Sequence, residues 1–165
     1  MIVLGIDPGS HATGFGVIVT EPVLRVRAMG VIRPADGLDL PARLRAIHDG
    51  IAAVMAAEAP VEMAVEDVFN SRNARSSLIL GHARGVALLA GALAEIPVAE
   101  YAPCVIKRAL TGNGAATKEQ VRYMVRRLLG LRETPPLDAS DALAVAVAHV
   151  CQTGGRLRAR AGGLL

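Results

Sequence analysis

Short apolar runs alternate with amphipathic stretches along the chain, and the change of period between them marks its elements. Residues 2–6 are a short apolar run, the pattern of a strand buried on both faces. Asp7-Pro8-Gly9-Ser10 follows as a turn, and residues 13–20 and 23–32 read as two further strands joined by short links. Such links predict a three-stranded antiparallel meander. Residues 41–58 place Leu44, Ile47, Ile51, Val54 and Met55 at three-to-four spacing, which predicts a helix capped by Asp39 and stopped by Pro60. A strand over 61–65 ends at Glu66. Residues 73–93 predict a helix apolar nearly all round, and so one buried on more than one side. A strand over 97–100 and a helix over 103–110 come next. A helix over 117–129 has Thr117 and Gln120 as a capping box and Gly130 as its stop. Two prolines, Pro135 and Pro136, lead into a last helix over 138–150. The order predicts an α/β fold, a mixed sheet with helices on both faces.

Composition narrows the class. The chain has 165 residues, 52% hydrophobic and 20% charged, enough for one core and too apolar for a disordered chain. We expect one domain over 1–152 and a disordered basic tail over 153–165. No run approaches the ~18 uninterrupted apolar residues that span a bilayer. The amino terminus has no basic region and meets an acid at Asp7, unlike a secretory signal. Cys104 and Cys151 are far apart, which argues against structural zinc and a disulfide framework. A cytoplasmic protein is the expectation. The net charge of +3 suits an anionic partner but equally suits an ordinary solvated surface. With four aromatic residues, Phe15, Phe69, Tyr101 and Tyr123, a base-stacking platform is excluded.

Four carboxylates stand out by position. Asp7 and Glu66 each end an otherwise apolar strand, and Asp138 and Asp141 are three apart at the start of the last helix. If the first and fourth strands are neighbours, Asp7 and Glu66 emerge side by side. A cluster of acids repels itself unless something positive fills it, and hard divalent cations take such oxygen ligands. Two ions ~3.5–4 Å apart would activate a water for in-line phosphoryl displacement. Each acid also has a local explanation. Asp7 suits the turn, Asp138 a helix cap, Asp141 a first turn, and Glu66 a surface position beside Asp67. The spacing alone leaves both readings open.

The basic residues carry a similar choice. Lys118, Arg122 and Arg126 share one face of their helix, either as a phosphate-binding stripe or as a solvated surface. The loop Gly112-Asn113-Gly114 before that helix could offer backbone amides to a phosphate, with Lys118, and Lys107 and Arg108 could add a contact. Arg72 and Arg75 flank the segment after Glu66, which holds Phe69, either a wedge against bases or a satellite core residue. The segment Asp7–Gly14 could also cradle a nucleotide phosphate, but no second glycine-rich loop follows and the chain is short for two ATP-enclosing domains. The four histidines form no ligand-spaced pair.

Three segments, GIDPGSHATGFGVI, AVEDVFNSRNARSSLILGHARGV and PLDASDALAVAVAH, together with VIKRALTGNGAATKEQVRYMV, resemble the RuvC family of Holliday-junction resolvases over about residues 1–150. The resemblance implies a ribonuclease-H-like fold with a five-stranded mixed sheet. It implies that Asp7, Glu66, Asp138 and Asp141 are catalytic acids holding two Mg²⁺ ions, or Mn²⁺ in their place, for phosphodiester cleavage leaving a 5′-phosphate and a 3′-hydroxyl. Lys107 and Lys118 match DNA-contacting lysines, Arg122 is expected to join them, and Phe69 matches an aromatic at the junction centre. A homodimer built largely on the helix from about residue 73 is implied, with the branch-migration proteins RuvA and RuvB as partners. Some relatives carry His at the first acid of the last pair; here it is Asp138.

Overall fold

The computed structural model describes residues 1–67 and 74–154. Strands β1 (Ile2–Asp7), β2 (Thr13–Val19) and β3 (Arg25–Ile32) form the expected meander. Helix α1 (Leu40–Glu58) leads to β4 (Glu62–Glu66), and α2 (Ala74–Leu93) leads to β5 (Val98–Tyr101). Helices α3 (Pro103–Thr111), α4 (Lys118–Leu128) and α5 (Leu137–Gln152) complete the order. The sheet runs β3-β2-β1-β4-β5, antiparallel across the first three strands and parallel from β1 to β4 to β5. The mixed sheet expected from the sequence is present. Expected boundaries differ from the observed ones by one or two residues.

Local signals set the helix ends. The Asp39 carboxylate accepts the Ala42 amide at 3.0 Å, as a cap should. Thr117 and Gln120 cap α4 reciprocally. At the far end of α4, the Leu131 amide donates to Arg126 and the Gly130 amide to Arg127, with Gly130 at φ 62°. That is a Schellman closure, which glycine makes cheap. One expectation fails: Asp138 is not a cap. Helix α5 starts one residue earlier, at Leu137, and makes no side-chain cap bond. The prolines before it hold the chain extended up to Pro136.

Two apolar layers sandwich the sheet. One packs Leu4, Ile6, Val17, Met63 and Val65 under α1 and α2. The other packs Val3, Ile18 and Ala64 under α5, with α3 and α4 outside it. Helix α5 is thus covered on all sides, and every residue from Ala142 to Val150 is buried. Its close approach to the sheet depends on glycine. A Cβ on Gly5 would strike the Ala142 carbonyl, and one on Gly14 would strike the Asp138 carbonyl. Helix α2 behaves differently. It buries Ala83, Ala87 and Ala90 but leaves Leu78, Leu89 and Leu93 more than half exposed. The expected burial on more than one side is therefore not met within a single chain. By length and composition alone, Arg75–Leu93 is also apolar enough to cross a membrane, although His82 and Arg84 interrupt it.

Candidate active site

Parallel pairing of β1 with β4 decides the geometry. Ile6 stands opposite Val65, so Asp7 and Glu66 leave the sheet as neighbours at the carboxyl ends of both strands. Ligands of α/β sheets bind outside those ends. Helix α5 crosses beneath, and its first turns bring Asp141 to the same cleft. Asp7, Glu66 and Asp141 line it with Lys107 from α3 and Lys118 from α4. The cleft is about 100 Å³, room for ions and a few waters.

Its electrostatics are those of an acid pair short of positive charge. Burial pushes the Asp7 carboxyl up to about 8, and the charges of Glu66 and Asp141 add to the rise. Burial raises Glu66 too, helped by Asp141, while a hydrogen bond from Asp7 partly offsets this. Both carboxyls thus hold their protons more tightly than a free acid does. The acids of α5 are held otherwise. Lys118 Nζ donates to Asp141 Oδ2 at 3.2 Å, and the carboxylates around Lys118, Asp141 foremost, strengthen its hold on its proton. Asp138 Oδ2 pairs with Arg33 at 3.5 Å and does not line the cleft. Among the described residues, no three carboxylates or histidines converge as a ready metal cage. The donors still fit a hard cation. Asp7, Glu66 and Asp141 are oxygen ligands facing one cleft, and a cation there would offset the carboxylate charge that burial now makes costly.

The remaining expected site residues are placed unevenly. Lys107 and Lys118 reach the cleft. Arg122 turns away and donates to the Pro135 carbonyl at 3.3 Å, bracing the turn before α5, and its buried Nε has no partner. The loop before α4 is not an open amide cradle. The Asn113 amide donates to the Thr111 hydroxyl, the Ala115 amide to Asn113 Oδ1, the Ala116 amide to the Asn113 carbonyl and the Thr117 amide to Gln120. Phe69 and Arg72 lie outside the described residues, as does the tail from residue 155.

Sequence reasoning passed over three features. Arg33 is the counter-ion of Asp138; it follows β3 with no pattern to single it out. Arg84 pairs with Asp67 and Glu100, and a lone mid-helix arginine in an apolar stretch was the available signal. Buried His149 joins Glu62 at 2.6 Å and the Tyr101 hydroxyl at 2.8 Å, tying α5 to β4 and β5; nothing in the spacing of these three residues announces that contact.

Comparison with known proteins finds relatives along nearly the whole chain. The sequence model of the family described as crossover junction endodeoxyribonuclease RuvC matches residues 3–149. A protein of that description from Rhodospirillum rubrum is 50% identical over 167 aligned residues, covering 99% of each chain. The Thermus thermophilus RuvC structure in complex with Holliday junction substrate aligns with a TM-score of 0.87 at 36% identity, covering 94% of this chain and 97% of that one. The yeast mitochondrial Holliday junction resolvase shares the fold, with a TM-score of 0.63 at 14% identity over 93% of this chain and 79% of its own. The sheet, its flanking helices and these relatives make the fold ribonuclease-H-like. The chain belongs to the RuvC family of crossover junction endodeoxyribonucleases.

Proposed function

We propose that this nuclease resolves Holliday junctions as a homodimer, making paired symmetric nicks that leave 5′-phosphates and 3′-hydroxyls. The observation that carries the reading is the pairing of β1 with β4, which sets Asp7 beside Glu66 in a cleft shared with Asp141 and two lysines. Asp7, Glu66 and Asp141 would hold Mg²⁺ or Mn²⁺, two ions per site, with Asp138 joining if it leaves Arg33. Metal held by these carboxylates would supply Lewis-acid activation of a water and charge stabilisation at the leaving oxygen. The protein's own groups do the rest. Lys107 holds a phosphate of the cut strand. Lys118 exchanges Asp141 for a phosphate oxygen, which frees that carboxylate toward the cleft. The buried walls of Ile106, Val121 and Ala144 limit water. Phe69 follows Glu66 closely enough in sequence to meet the branch point.

A four-way junction has approximate two-fold symmetry, so paired nicks call for two sites related by a dyad. The uncovered face of α2 supports that assembly. Leu78 and Leu89 are exposed, and Gly81 and Gly85 have open space where a side chain would stand. A second helix can approach closely there. RuvA and RuvB are the proposed partners through family membership.

A labelled synthetic four-way junction with Mg²⁺, beside linear duplex and an RNA–DNA hybrid, tests the reading. Paired nicks on the junction alone are expected. Cutting of the hybrid instead would keep the carboxylates and change the substrate. Tight junction binding with no cutting in Mg²⁺ or Mn²⁺ would leave a binding module.

A further inference from the structure

Helix α2 carries two arginines, Arg75 in its first turn and Arg84 in its middle. Arg84 faces the sheet from the side opposite the cleft. Its Nε donates to Glu100 Oε2 at 2.6 Å, and its Nη2 touches the same carboxylate and lies 3.3 Å from Asp67 Oδ1. All three side chains are about two-thirds covered or more. The two acids belong to adjacent strand ends. Glu100 stands opposite Val65 in the ladder, and Tyr101 stands opposite Glu66. Asp67 follows Glu66 directly, and its amide donates to the Tyr101 carbonyl at 2.8 Å. One guanidinium thus grips β4 and β5 at the level of Glu66. Its planar fork can serve two carboxylates at once, which an ammonium does less well. Removing it would leave Asp67 and Glu100 facing each other across the strand ends without the partner they share.

We propose that Arg84 is a positioning residue for cleavage: by clamping Asp67 and Glu100 it fixes the end of β4 and so the Glu66 carboxylate in the cleft. The inference rests on the reading of Glu66 as a catalytic acid. It also links the site to α2, whose outer face is free to meet another chain.

The test compares Arg84→Gln, Arg84→Lys and the double variant Arg84→Gln/Glu100→Gln in the full chain, with Glu66→Gln alongside. Single-turnover junction cleavage, junction affinity with its salt slope, Mn²⁺ binding without DNA, and the folded fraction are measured. Arg84→Gln should lower both cleavage and Mn²⁺ affinity by about 10–100-fold, the usual effect of removing an outer support of a metal ligand. Junction affinity and salt slope should stay unchanged. Arg84→Lys should recover part of the loss. The double variant should recover only the part of the loss due to repulsion between Asp67 and Glu100, because the link between the strand ends is still missing. Wild-type cleavage and Mn²⁺ binding in Arg84→Gln would overturn the clamp. So would a fall in junction affinity with a smaller salt slope, the mark of a phosphate contact. A loss that merely follows the folded fraction would reduce Arg84 to a stabilising pair, and full recovery in the double variant would reduce it to a charge neutraliser. If Glu66→Gln cleaves normally, the reading of Glu66 fails and the clamp with it; if Glu66→Gln is inactive and Arg84→Gln is normal, the clamp alone fails.

Discussion

The two strand-end carboxylates of the cleft and the two acids at the start of α5 are held in opposite ways. Asp7 and Glu66 sit on neighbouring strands, and burial, with the charge of Asp141 on both and of Glu66 on Asp7, raises the two carboxyls. Asp138 and Asp141 sit at the start of a helix, and each has a cation from another element, Arg33 and Lys118. The strand pair is a fixed charge deficit waiting for a cation. The helix pair is already balanced and must exchange a partner before it can take part. Precise placement and adjustable charge are thus divided between sheet and helix.

The contrast predicts the largest loss at the strand pair. Asp7→Asn should lower single-turnover junction cleavage on the order of 10³-fold or more, the scale of losing several kcal/mol of charge stabilisation. Junction binding should persist. Loss of binding together with the fold would count against a catalytic role. Glu66→Gln should behave alike. Lys118→Ala strikes both pairs less directly and should cost roughly 10²-fold in cleavage. It should also reduce the salt slope of junction binding by about one phosphate contact, measured by titration at several salt concentrations.

A stability experiment isolates the strand pair without DNA. Folded Asp7 holds a proton that the unfolded chain has already released, since its group is raised from 3.8 to about 8. Its contribution to stability is therefore present at low pH and lost as pH rises between those values. In EDTA, the thermal midpoint should fall on the order of 5 °C over that window. Asp7→Asn should flatten the fall, and Mg²⁺ should reverse it at neutral pH. The smallest effect belongs to Arg33→Ala. Its ion pair is 3.5 Å long with the arginine 62% exposed, so the stability change should stay under ~1 kcal/mol. Slightly tighter Mg²⁺ binding is the expected sign of a freed Asp138.

Much of the site was legible because it is written on regular elements. Buried strands announce themselves as apolar runs, and an acid closing such a run is conspicuous, as Asp7 and Glu66 were. What was hidden lies in contacts across elements. The sequence shows Lys118 on a basic stripe but not that Asp141 would hold it. Arg122 shares the stripe yet turns to Pro135. The two apolar helices show the same limit. Helices α2 and α5 look alike as patterns, but α5 is covered by α3 and α4, whereas among the described residues Leu78, Leu89 and Leu93 of α2 stay exposed. Periodicity reports that a face is apolar, and tertiary packing decides what meets it. The loop before α4 misled for a related reason: its glycines suggested free amides, and Thr111, Asn113 and Gln120 take them up.

The central claim is that a divalent cation in the cleft displaces the proton that burial holds on Asp7. Calorimetric Mg²⁺ titration near pH 7, in buffers of different ionisation enthalpy, counts that proton directly. Release of close to one proton per chain, abolished in Asp7→Asn, is the predicted result. Saturable binding with no proton release, or release unchanged in Asp7→Asn, would contradict it.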